Sequence, residues 1–203
     1  MIYLITPTYL PNISYIAWLI KKKIYFDLTD KYNKQTYRNR SEIYGANGKL
    51  ILTIPIIHSK EKKQQLTKEV KIFNDTSWQS NHWKSICSAY RSSPYFEYYE
   101  EDFFNFYFKI KEESLFNFNI KLISYILNLL DHPFNFSTIL YNKKKHTKLH
   151  KLIDAKNLCF QTNKYNQVFS DKYGYLNNLS IIDLLFNIGP NTMDYLNSIN
   201  IKL

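Results

Sequence analysis

The first 27 residues constrain the fold most. A short apolar run (2–6) leads into a turn bounded by Pro7 and Pro11. Asn12 can then cap an apolar helical stretch of about ten residues ending near Lys22, and Ile24-Tyr25-Phe26 follows as a second apolar run. Strand, helix and strand in so short a span predict a parallel βαβ unit. Two more extended stretches, 35–43 and 50–57, flank Gly45-Ala46-Asn47-Gly48, and Asn-Gly between β-rich runs predicts a hairpin.

From Asp75 the period changes. Asp75, Thr76 or Ser77 can cap a helix to about Arg91, with Trp78, His82, Ile86 and Ala89 or Tyr90 on one stripe. Pro94 opens a second helix rich in Tyr, Phe and Glu, and 114–130 reads as a third, ended by Asp131-His132-Pro133. The lysine-rich patch 143–151 reads as the start of a charged helix. The expected fold is therefore α/β: a single domain over 1–203, a small mixed sheet with an N-terminal βαβ unit and a β-hairpin, packed by several helices.

A net charge of +10 suggests a nucleic-acid partner, but only three of the 27 basic residues are arginine (Arg38, Arg40 and Arg91). Lysine with abundant Asn, Ile, Tyr and Phe is the product of A/T-rich codons, so the excess charge reads first as a solvated surface, and each retained arginine gains meaning. Cys87 and Cys159 lie far apart in sequence, with no second Cys or His at metal spacing, as expected of a reduced, cytoplasmic protein. Cys87, inside a helical pattern, reads as a small packed side chain rather than a nucleophile. Lys21, Lys22 and Lys23 follow the N-terminal apolar stretch instead of preceding it, and Pro7 and Pro11 divide that stretch. It falls short of the about 20 apolar residues that a membrane span needs.

Several segments together carry a family resemblance: Tyr9-Leu10-Pro11, Lys34-Gln35-Thr36-Tyr37-Arg38-Asn39-Arg40, Trp78 with His82-Trp83, Ala89-Tyr90, Ser93-Pro94-Tyr95-Phe96-Glu97-Tyr98-Tyr99, Tyr165-Asn166-Gln167-Val168-Phe169, and 179–190. In this order they resemble the WbqC-like family, most of all its short form in Bacteroidetes. The resemblance implies a place in O-antigen or other surface-polysaccharide loci, and transfer of an aminoacyl or N-acyl group to an amino sugar. Longer members carry a glycine-containing segment before the Tyr-x-Gln-x-Phe stretch. Here Cys159-Phe160-Gln161-Thr162 runs almost directly into Tyr165, so any site built by that segment is altered.

Were 35–40 extended, Thr36, Arg38 and Arg40 would share one face, with Tyr37 and Asn39 on the other. Two guanidinium groups on one face make a clamp for phosphate or carboxylate; in a helix they would stand about 200° apart and the clamp would fail. The alternative is a structural ion pair with Glu97, Glu100 or Asp102. His82, between Trp78 and Trp83, is the candidate general base with an aromatic wall for a sugar ring, or else a packed, hydrogen-bonded core residue. Asp183 either closes a capping box from Ser180 or orients that base. Arg91, at the end of the same helix as His82, and Gln167, alternating with Tyr165 and Phe169, complete the expected binding set. His58, His132, His146 and His150 have weaker contexts, and His146 with His150 lacks a third zinc ligand. No metal or dinucleotide signature, P-loop or Gly-x-Ser-x-Gly is present, which leaves the cofactor unknown.

Two function classes follow: a transferase of surface-polysaccharide assembly that grips an anionic nucleotide-sugar or acyl donor through Arg38 and Arg40, or a non-catalytic module binding RNA or another anion.

Overall fold

The computed structural model describes residues 2–59, 64–156 and 160–201; Cys159 lies outside them. The βαβ unit forms as the spacing predicts. Strand β1 (Ile2–Leu4), helix α1 (Ile13–Leu19) and strand β2 (Ile24–Asp27) follow in order, and Asn12 caps α1 by accepting from the Tyr15 amide at 2.8 Å. β1 and β2 run parallel, joined through Ile5, which bridges to Phe26, donates to the Tyr25 carbonyl and accepts from the Asp27 amide. Every side chain of α1 is buried, as expected of a helix that is apolar all round, and it packs on the C-terminal helices α6 (Ile181–Ile188) and α7 (Thr192–Ser198).

The outer strands come from a segment whose sequence gives little sign of them. β5 (Phe136–Ile139) pairs parallel with β2, and β6 (His146–Lys148) pairs parallel with β1. The parallel order is β6-β1-β2-β5. The basic patch is therefore not a helix start: it holds an edge strand of three half-buried residues, too short and too polar to show an apolar period.

β3 (Arg40–Gly45) and β4 (Gly48–Thr53) form the expected antiparallel hairpin, closed by the Gly45–Gly48 pair, with Gly48 at φ 97°. The hairpin is a separate ladder and does not extend the parallel sheet. Residues 35–39 differ from expectation. Gln35 takes φ 61°, the chain turns, and β3 begins only at Arg40, so the side-chain alternation expected of a strand does not hold through Arg38. Backbone bonds tie this turn to the chain after β6: the Tyr37 amide donates to the Ile153 carbonyl, and Thr36 bridges to Asp154.

α2 (Trp78–Tyr90) packs on β3 and on α3 (Phe96–Lys109), burying Trp78, His82, Trp83, Ile86, Ala89 and Tyr90. Ser114 caps α4 (Leu115–Leu129), and a single four-residue turn, α5 (Ser170–Tyr173), precedes α6. Among the described residues no helix is long and apolar enough to cross a membrane.

Gly189 ends α6 at φ 52°, and a Cβ there would sit 2.4 Å from the Tyr95 ring. Gly189→Ala combines backbone strain with a clash and should lower stability by about 2 kcal/mol or more in urea unfolding. A loss below about 0.5 kcal/mol would show that the turn relaxes freely.

Candidate functional site

The parallel order places a crevice outside the carboxyl ends of β1 and β6, where the chain leaves β1 toward β2 on one side while β6 lies on the other. Open parallel sheets bind ligands at such a point. At the strand ends themselves the packing is closed, charged and closely paired. Asp27, at the end of β2, and Lys148, at the end of β6, meet at 2.6 Å, and the Lys148 ammonium also lies 4.3 Å from the centre of the Tyr141 ring.

Beside them Arg38, 1% exposed, donates through Nε and Nη2 to the two oxygens of Asp30 at 2.9 and 2.8 Å. Its Nη1 donates to Thr36 Oγ1 at 2.9 Å, and the Thr67 hydroxyl donates to Asp30. Burial pushes the Asp30 carboxyl up, but Arg38, by hydrogen bond and charge, together with Thr67 and Thr6, holds it below the usual carboxylate range. The arginine thus forms a structural ion pair, with Asp30 rather than with any of the helix carboxylates considered from sequence. Its fork is occupied, which is the physical reason it does not form a free clamp with Arg40. Arg40 is half-buried at the start of β3.

Above this pair lies a cleft of about 310 Å³, lined by the turn residues Asn33, Lys34, Gln35 and Thr36, by Arg38, and by His150, Ile153, Asp154 and Lys156. That volume is at the lower end for small-molecule sites. Lys34 and Lys156 make no ion pair among the described residues and outnumber the lining carboxylate of Asp154, so the rim carries a small net positive charge over a neutralised floor. Burial lowers the His150 pKa, with Arg38 and Lys148 pushing it down further against the pull of Asp30 and Asp27. A neutral imidazole therefore faces the cleft at neutral pH.

The remaining candidates lie elsewhere. His82 is buried in α2, with its Nδ1 2.8 Å from the Tyr9 hydroxyl, which meets the Tyr107 hydroxyl at 2.5 Å. Trp78 packs against both Tyr9 and His82, while Trp83 stacks on Phe96. Burial lowers the His82 pKa to about 4, and a backbone hydrogen bond to Thr53 only partly opposes this. Neutral, the ring can accept the Tyr9 proton while Tyr107 donates to Tyr9, so the aromatic wall is part of the core. Tyr37 and Asn39 are also buried, the latter donating to the Ile54 carbonyl at 2.9 Å and accepting from the Tyr32 hydroxyl. Arg91 is exposed, 3.6 Å from Glu100. Cys87 is free and half-buried, its thiol pushed up chiefly by burial.

Asp183 and Gln167 do meet. The Asp183 carboxylate, fully buried, accepts from Tyr90 at 2.8 Å, Tyr165 at 2.5 Å and Gln167 at 2.9 Å. Its carboxyl group does not close a capping box with Ser180. The Ser180 hydroxyl instead accepts distantly, at 3.5 Å, from the Ile182 amide and donates to the Leu10 carbonyl. Burial raises the Asp183 pKa, and the three hydrogen bonds oppose that rise.

Sequence reasoning missed Asp30, Lys34, His150, Asp154 and Lys156 as site residues. His150 had a usable signal, since it directly follows β6, but β6 itself was illegible.

Arg38→Ala would leave Asp30 buried without its counter-charge and should cost about 3–5 kcal/mol, read by urea unfolding. Asp30→Leu combined with Arg38→Met, which removes both charges, should cost less; equal losses would contradict the pairing. His82 gives a pH signature. A depressed pKa contributes stability that is present above the unfolded value of 6.5 and is lost as pH falls through about 4, an effect of about 3 kcal/mol. His82→Gln should flatten the acid-side stability profile over that interval, and an unchanged slope would contradict the burial argument.

No curated protein and no solved structure matches the chain. One family profile does, over residues 6–166, a span that begins just after β1 and takes in α1, β2, the turn at 34–40, α2 to α4 and the crevice residues. This chain belongs to the WbqC-like protein family.

Proposed function

We propose that the crevice holds the anionic part of a substrate, either the pyrophosphate of a nucleotide-linked amino sugar or the anionic carrier of an acyl donor, and that the chain transfers an N-acyl or aminoacyl group from that donor to the amino sugar during assembly of cell-surface polysaccharide. The observation that carries this reading is the cleft itself. Lys34 and Lys156 stand on its rim, Arg38 is fixed in its floor, and the chain just beyond the carboxyl end of β6, from His150 to Lys156, forms one wall. Lysine offers mobile point charges suited to a pyrophosphate or carboxylate, while a guanidinium already committed to Asp30 contributes position and local structure. Family membership supports the polysaccharide setting.

In the transfer, the amine nitrogen of the acceptor attacks the acyl carbonyl. The new C–N bond forms as the C–S or C–O bond to the donor carrier breaks. The proton lost by the amine passes to His150 and from there to the leaving carrier. A half-buried, neutral imidazole lining the cleft suits this role better than His82, whose ring is enclosed by Tyr9 and Trp78.

Calorimetry with inorganic pyrophosphate tests the anion site. Wild-type protein should bind, and Lys34→Ala with Lys156→Ala should weaken binding at least tenfold, about 1.4 kcal/mol, with the melting temperature unchanged. Absence of wild-type binding, or binding indifferent to both lysines, would remove the reading.

A further inference from the structure

A second cleft, of about 570 Å³, opens beside the first turn of α2, away from the crevice residues, and its chemistry is different. It is lined by Asn74, Ser77, Gln79 and Ser80 from the start of α2 and by Phe108 and Ile110 from the end of α3, while Tyr107, 2% exposed, adds little surface. Its two carboxylates are compensated: Glu112 meets Lys121 at 2.8 Å and Glu113 meets Lys71 at 3.4 Å. That leaves Lys111 as the one lining charge without an ion pair among the described residues. A strongly anionic or cationic ligand gains little from such a surface, whereas a neutral molecule rich in hydroxyl groups gains much.

We propose that this cleft binds a neutral carbohydrate, independently of the anion crevice. A pyranose ring presents an apolar C–H face and a rim of hydroxyls, and the cleft supplies a counterpart to each. Phe108 is 42% exposed and lines the cleft, and the Phe104 ring lies beside it with centres 4.7 Å apart, so apolar ring surface borders the opening. Opposite it stand amides and hydroxyls that donate and accept, as sugar hydroxyls require. The Asn74 carbonyl oxygen takes the Trp78 indole N–H at 3.2 Å and the Gln79 side-chain amide at 3.4 Å, and its own amide donates to the Glu112 carbonyl at 3.3 Å, which fixes that wall before a ligand arrives and leaves the Gln79 carbonyl oxygen to the ligand. Ser77 occupies the N-cap position of α2 without making a side-chain cap bond, so its hydroxyl remains available to a ligand. The cleft volume exceeds that of the anion crevice and accommodates more than a single ring.

Saturation-transfer NMR with the methyl glycosides of glucose, galactose, N-acetylglucosamine and N-acetylgalactosamine tests the site. At least one should receive saturation. Phe108→Ala and Gln79→Ala should each weaken that binding by about fivefold. Pyrophosphate binding should stay unchanged in both variants, which separates this site from the anion crevice whether or not the crevice reading survives. Gln79 is a partly exposed first-turn residue, so its variant remains decisive even if Phe108→Ala perturbs the fold. No saturation transfer to any of the four glycosides at tens of millimolar, or binding unaffected by both substitutions, would overturn the proposal.

Discussion

A guanidinium that is 1% exposed cannot shed its proton, so the chain around Arg38 has to supply a carboxylate and arrange itself to do so. Asp30 meets it with both oxygens, and three segments are drawn together as a result. The turn after β2 brings Asp30. The short helical turn Thr67–Glu69 brings Thr67, whose hydroxyl donates to Asp30 and whose amide donates to the Asp30 carbonyl. α4 brings Asn119, whose amide donates to the Arg38 carbonyl at 2.7 Å. Held this way, residues 34–38 cannot run on into β3. They bend over the end of β6 and become the wall of a cleft.

A second centre organises the other end of the molecule. Asp183 is a carboxylate with no cation beside it among the described residues, kept in place by two phenols and an amide from segments far apart in sequence. Tyr90 also accepts from the Tyr44 amide, so the same network links α2, the hairpin and α6. Around it the segments that carry the family resemblance meet in pairs. The Leu10 carbonyl accepts from Ser41 and Ser180, the Pro11 carbonyl from the Ile181 amide, and the Tyr95 amide donates to the Phe186 carbonyl. These segments thus form one connected polar core. In this structure residues 9–11, 89–99, 165–169 and 179–190 meet on the Asp183 side, whereas 34–40 walls the open, basic cleft at the other centre.

Much of the fold was legible in the sequence because the signals were local. Asn12 and Ser114 cap the helices expected of them, the Gly45–Gly48 turn closes its hairpin, and the stripe from Trp78 to Tyr90 is buried as its period requires. The site was less legible because it depends on contacts across long stretches of chain. Arg38 stood out by rarity, yet whether it faced a ligand or Asp30 turned on a single left-handed residue, Gln35, in a position where a glycine would have given warning. Lys34, His150 and Lys156 converge only because β6 pairs with β1, and a three-residue polar strand leaves no periodic trace. His82 was singled out by its aromatic setting, and that same setting encloses it.

On the proposed function, ligand binds in the crevice over Asp30 and Arg38 and not in the aromatic surroundings of His82. A crystal structure of the protein soaked with a nucleotide-sugar tests it most directly. The expected result is diphosphate density between Lys34, His150 and Lys156 with the Asp30–Arg38 pair intact beneath it. Density beside His82 and Trp78, or an Arg38 side chain withdrawn from Asp30 to grip the ligand, would contradict it.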